Sequence, residues 1–212
     1  QYTFSLGDYC IDNEQNLYYF LQIFAGSYTE KEAAGGLLCR QRENGESIYQ
    51  VYLPQLNGVA ADNMGRAYAL ADGEIKVFGS GGKQLGAVSV SEYQDGNGDS
   101  PGELFGDSDG RVYYCAVSGF HARTGYEVVD DGSFRLRETG MFSGGSYEDH
   151  YAGVGGKRLL YAQSDNMVYE YDREKEETVE KFCLTDSGMK GFYVQSLVQA
   201  TENHLLMVYG EP

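Results

Sequence analysis

Asp62-Asn63-Met64-Gly65-Arg66-Ala67-Tyr68-Ala69-Leu70 is a polar turn that runs straight into a short apolar strand carrying a tyrosine. The same grammar opens Asp12-Asn13-Glu14-Gln15-Asn16-Leu17-Tyr18-Tyr19 and Asp107-Ser108-Asp109-Gly110-Arg111-Val112-Tyr113-Tyr114. It returns in Gly155-Gly156-Lys157-Arg158-Leu159-Leu160-Tyr161-Ala162 and, more weakly, in Thr201-Glu202-Asn203-His204-Leu205-Leu206. The anchors Tyr18, Tyr68, Tyr113, Tyr161 and Leu206 follow one another at intervals of 50, 45, 48 and 45 residues. A self-similar period of roughly 40 to 50 residues marks radial β-architectures with four strands to each repeat.

The strands between the anchors suit that arrangement. A strand buried on both faces needs small or apolar residues throughout, and Gly58-Val59-Ala60-Ala61 and Ala67-Tyr68-Ala69-Leu70-Ala71 supply them. A strand with one wet face alternates, as do Ile75-Lys76-Val77, Phe134-Arg135-Leu136-Arg137 and Tyr169-Glu170-Tyr171-Asp172. Asn44-Gly45, Gly81-Gly82 and Asp131-Gly132 mark hairpins between third and fourth strands. The expected fold is all-β, a β-propeller of about five four-stranded antiparallel blades in one domain. The blades are expected at 7–53, 58–90, 103–141 and 149–184, with a partial blade at 192–209 completed by residues 2–6. Closure removes exposed sheet edges and is the favoured arrangement. A fragment of a longer propeller is the competing one. Glu30 to Leu38 is the single stretch that reads as a short helix.

Composition supports the class. The 212 residues hold 29 glycines and 19 tyrosines but 3 prolines, which fits short strands joined by tight turns. Net charge is −16, so the chain repels phosphate backbones and anionic membrane surfaces, and neither nucleic acid nor direct membrane insertion is expected. Acidity also keeps a tyrosine-rich surface soluble. Cys10, Cys39, Cys115 and Cys183 form no C-x-x-C pair, which argues against zinc and thioredoxin-like chemistry and reads as small buried thiols. The chain opens at Gln1 without a Met, as a trimmed mature chain or an excised piece would.

Asn166-Met167-Val168-Tyr169-Glu170-Tyr171-Asp172-Arg173-Glu174-Lys175-Glu176-Glu177 and Gln195-Ser196-Leu197-Val198-Gln199-Ala200-Thr201-Glu202-Asn203-His204-Leu205-Leu206 carry a family resemblance. They resemble the propeller-like region of extracellular solute-binding lipoproteins of Gram-positive ABC transporters. Lys175-Glu176 stands where that family has Thr-Gly, and Glu202-Asn203 where it has Asp-Gly. The resemblance, strongest over residues 149–209, implies an extracellular module tethered to the cell surface through the full-length lipoprotein. The family's solute-binding lobes lie outside the matching residues, so no functional residue carries over.

Two constellations are candidates for chemistry. Asp95, Asn97 and Asp99, with Glu103, place oxygen ligands at alternate positions as calcium loops do, although Ser100 stands where such loops have Gly. An ordinary solvated turn is the competing reading. In a propeller, the loops entering first strands and those joining second to third strands share one face. That brings Tyr147, Asp149, His150, Phe192, Tyr193, Phe120 and Tyr126 to one rim. Aromatic rings beside carboxylates suit sugars, and suit a protein partner equally. With three histidines, no H-E-x-x-H and no G-x-S-x-G, the chain is expected to be no enzyme. The expected function is a non-catalytic extracellular binding or scaffold module associated with a sugar-uptake lipoprotein. An independent carbohydrate-binding propeller and, from another class, a glycosidase built on Glu148, Asp149 and His150 are the alternatives.

Overall fold

The computed structural model describes residues 2–26, 31–93, 101–107, 109–118, 122–141, 150–153, 158–162, 167–183, 193–201 and 204–210. Eighteen strands and no helix occur among them. Blade 1 is β1 (Tyr2–Ile11), β2 (Leu17–Gly26), β3 (Lys31–Gln41) and β4 (Ser47–Leu53). Blade 2 is β5 (Leu56–Ala61), β6 (Ala67–Ala71), β7 (Glu74–Phe78) and β8 (Gln84–Ser89). Blade 3 is β9 (Glu103–Gly106), β10 (Val112–Ser118), β11 (Ala122–Asp130) and β12 (Phe134–Glu138). Blade 4 is β13 (His150–Gly153), β14 (Arg158–Ala162), β15 (Met167–Asp172) and β16 (Glu177–Cys183). A hairpin of β17 (Tyr193–Thr201) and β18 (His204–Gly210) follows. Each blade is an antiparallel meander in chain order, and the first strands neighbour one another, β1 beside β5, β5 beside β9 and β13 beside β17.

Two expectations need correction. Tyr2–Leu6 does not complete the fifth sheet but forms half of β1, paired with Leu21–Ala25 in blade 1. The stretch expected as a short helix, Glu30 to Leu38, is not helical over its described residues 31–38, because Lys31–Gln41 is a strand paired on both edges, by β2 and by β4. Leu38 is fully buried there, and Gly35 at φ +112° lies outside helical space.

The blades pack face to face through shared cores. Tyr18, Phe20, Leu38 and Leu53 of blade 1 meet Val59, Ala67, Ala69 and Ala71 of blade 2. Tyr68, Leu70, Ile75 and Val77 on the other face of blade 2 meet Leu104, Val112, Tyr114 and Ala116 of blade 3. Tyr113 and Cys115 then meet Met141 and Tyr171, the latter in blade 4. Successive residues on each second strand serve opposite neighbours, as the period of two requires.

One device recurs at the first hairpin of blades 1 to 3. Asp12 Oδ1 accepts the N–H groups of Glu14 and Asn16, each at 2.9 Å, while Tyr18 Oη donates to Oδ2 at 2.8 Å. Asp62 accepts Met64 and Arg66 N–H at 2.9 Å and Tyr68 Oη at 3.1 Å. Asp107 accepts Asp109 N–H at 2.9 Å, Arg111 N–H at 3.0 Å and Tyr113 Oη at 3.2 Å. The fourth turn residue is left-handed in all three: Gln15, Gly65 and Gly110. The carboxylate therefore closes the turn from inside, and the tyrosine ties it to the second strand.

Arginines link these turns to the next blade. Arg40 Nη1 donates to the Ser80 carbonyl of blade 2 at 2.8 Å and lies over the Tyr18 ring. Arg66 binds Asp62 in its own blade and reaches Asp130 of blade 3 at 2.7 Å. Arg173 of blade 4 reaches back to Asp107 and, at 2.6 Å, to Asp109 of blade 3.

Candidate functional site

The β8–β9 connection crosses from blade 2 to blade 3 and carries an aromatic notch. Tyr93, in the turn after β8, is held by its N–H donating to the Val90 carbonyl at 3.0 Å. Its ring meets Tyr126 of β11 edge to face, with centroids 4.7 Å apart. Tyr126 also lies 6.4 Å from the ring of Tyr114, whose hydroxyl donates to the Pro101 carbonyl at 3.1 Å. Tyr114 is fully buried and serves as the floor, while Tyr93 and Tyr126 are half-buried.

Gly102 shapes the wall. It sits at φ +82°, and a Cβ there would fall 2.6 Å from the Cys115 carbonyl oxygen and 2.6 Å from the Tyr114 ring. Only glycine lets the chain pass so close.

Carboxylates flank the rings. Glu92 is exposed beside Tyr93, and Glu138 is exposed and paired across the strands with Tyr126. Burial pushes the Tyr126 phenol up, and the Glu138 charge pushes the same way. Burial raises Tyr93 too, assisted by the Glu92 carboxylate beside it. Both phenols therefore stay neutral hydrogen-bond donors at ordinary pH. Two apolar ring edges with donors and flanking acceptors present what a sugar or a polar, cationic protein segment binds.

Of the rim residues expected from sequence, Tyr126 is the one the described side chains place in this notch. His150 opens β13, opposite Ala162, and Tyr193 opens β17, opposite Gly210. Tyr147, Asp149, Phe120 and Phe192 lie outside the described residues, as do Asp95, Asn97 and Asp99 of the calcium loop. Glu103 is the exposed first residue of β9. No group of three potential metal ligands occurs among the described residues. Tyr93, Glu92 and Glu138 escape a reading of sequence alone. Their only signal is Tyr93 directly after the alternating β8, and it does not reveal that β11 of the next blade supplies the second ring.

A second feature lies on blade 1. Leu6, Tyr9, Leu17, Tyr19 and Gln41 line a shallow hollow of about 330 Å³ on its outer face.

No family model matches this chain, and no curated protein does. Solved structures do. A Bacteroides caccae protein of unknown function is similar at 12% identity and a TM-score of 0.58, over 96% of this chain and 70% of its own. The Malassezia sympodialis allergen Mala s 1 is similar at 14% identity and a TM-score of 0.53, over 96% and 71%. The WD40 domain of Neurospora crassa Pan2 is similar at 8% identity and a TM-score of 0.54, over 99% and 80%. At such identities the likeness speaks to architecture alone. Together with the four-stranded antiparallel meanders, it makes the fold all-β and β-propeller-like.

Proposed function

We infer that this chain is a non-catalytic binding or scaffold module that works outside the cell, in association with a solute-uptake lipoprotein. The uptake context rests on the resemblance carried by residues 149–209. One observation carries the binding role: the Tyr93–Tyr126 ring pair, half-exposed between blades and flanked by Glu92 and Glu138. The buried carboxylates support a role without turnover. Asp12, Asp62 and Asp107 each hold two backbone N–H groups and a tyrosine hydroxyl, so their lone pairs serve the turns rather than a substrate. The partner is a protein segment, with a carbohydrate as the second reading because ring edges beside carboxylates suit sugar hydroxyls equally.

Calorimetric titration with neutral oligosaccharides and with a lysine-rich peptide tests this. Tyr93→Ala and Glu138→Gln should each weaken binding at least about tenfold, and Glu138→Gln, at an exposed position, should do so while the melting temperature holds. Binding that is indifferent to both substitutions removes the notch from the function. Turnover of aryl glycosides that survives purification would move the glycosidase alternative to first place.

A further inference from the structure

Blade 1 has two apolar faces, and the described residues cover one. Strand register makes the comparison with the other blades direct. Tyr9 stands opposite Tyr19 on β2, as Val59 stands opposite Ala69 on β6 and Leu104 opposite Tyr114 on β10. In blades 2 and 3 these positions face the preceding blade and are sealed: Val59 is 2% exposed, Ala69 0%, Leu104 6% and Tyr114 0%. In blade 1, Tyr9 is 62% exposed. Phe4 at 61%, Leu6 at 57% and Ile11 at 58% share its fate.

The alternation in β1 is thus apolar toward the outside and mixed toward blade 2, the reverse of a strand whose outer face meets water. A contiguous apolar sheet face of this kind marks an interaction surface. It is also uncharged across Phe4, Leu6, Tyr9 and Ile11, in a chain of net charge −16.

We propose that this face is the seat of a further β-blade of the same ring, a four-stranded antiparallel sheet on the same polypeptide that presents a small, uncharged apolar face. The interface it would make continues those between blades 1 and 2 and blades 2 and 3, position for position. The similar solved chains have room for it, because this chain spans 70%, 71% and 80% of their lengths. Tyr9 and Leu17, which border the hollow, stand where blades 2 and 3 have Val59 with Ala67 and Leu104 with Val112. The incoming face must therefore carry smaller side chains than blade 1 offers to blade 2.

The complete product of the gene, compared with residues 1–212 by hydrogen exchange and light scattering, decides the matter. The expected result is a monomeric complete product in which β1 amides exchange at least about tenfold more slowly than in residues 1–212. Phe4→Glu with Tyr9→Glu should then lower the melting temperature of the complete product and leave that of residues 1–212 unchanged. A product lacking a further four-stranded sheet, or one whose β1 exchanges equally fast, overturns the proposal. So does a dimer of residues 1–212 with β1 equally protected, which assigns the face to a second copy.

Discussion

Asp107 shows what the repeated aspartate does. Its side chain is inaccessible to solvent, and Arg173, 5% exposed, reaches it from blade 4. Removing the carboxylate takes from the guanidinium its buried partner, leaving it the half-exposed Asp109, and takes from the Tyr113 hydroxyl its acceptor. Asp107→Ala should cost about 3 kcal/mol, read as a lower guanidinium midpoint with an unchanged slope. Asp109→Ala removes the half-exposed partner of the same arginine and should cost no more than about 1 kcal/mol. The aspartates also respond to acid with opposite signs. At Asp12 burial pushes the carboxyl up, but the hydrogen bonds from Asn16, Tyr18 and Glu14 outweigh it and its pKa is lowered. Its stabilisation is full above the ordinary carboxylate value of about 4 and is lost as pH falls through the lower folded value. At Asp107 burial prevails over Arg111, Arg173 and Tyr113, and the pKa is raised. The folded state there keeps its proton to higher pH than the unfolded chain, so this residue adds stability on acidification. Melting curves from pH 2.5 to 6 should show Asp12→Asn losing less than wild type on acidification, and Asp107→Asn losing more.

At the scale of strands and turns, the tyrosine spacing made the blades legible because Tyr18, Tyr68 and Tyr113 sit on second strands and turn their rings into the seam with the next blade. Tyr18, Tyr68 and Tyr113 are all at most 3% exposed. The turn glycines were legible for a similar reason: Gly45, Gly82 and Gly132 occupy left-handed positions in the third hairpin connections. Glu30 to Leu38 misled because Glu, Lys and Ala favour helix locally, whereas pairing with β2 and β4 outweighs a few tenths of a kcal/mol of propensity per residue. The Asp-to-Tyr bond went unread, since a six-residue offset has no meaning until the hairpin folds the two side chains together. Two glycines separate turn strain from blade packing. Gly132 is left-handed with open space around it, so Gly132→Ala should cost about 1 kcal/mol from backbone strain alone. A Cβ on Gly110 would lie 2.4 Å from the backbone nitrogen of Asn63 in the neighbouring blade. Gly110→Ala adds that clash to the strain and should cost at least about 2 kcal/mol. Equal losses in the two variants, measured by chemical denaturation, would remove the close approach of blades 2 and 3 from the account.

Across the whole molecule, stability and site both come from contacts between blades, and this limits what a linear reading can find. The period showed which segments form blades. It held no information on which ring of one blade meets which ring of the next, so Tyr126 could be singled out as a candidate aromatic and its pairing with Tyr93 could not. The same dependence sets the last prediction. Ala67, Ala69 and Ala71 are fully buried against Tyr18, Phe20 and Leu38, and their small size fixes the distance between blades 1 and 2. Ala69→Leu inserts three carbons into that seam, where close packing leaves no room. The blades must separate or the side chains must leave their rotamers, at a cost of about 1 to 3 kcal/mol. Because the seam belongs to both blades, the loss should appear as one cooperative transition at a lower temperature, coincident by far-ultraviolet circular dichroism and tyrosine fluorescence. Two separated transitions in this variant would mean that blades 1 and 2 fold independently and that the shared core does not couple them.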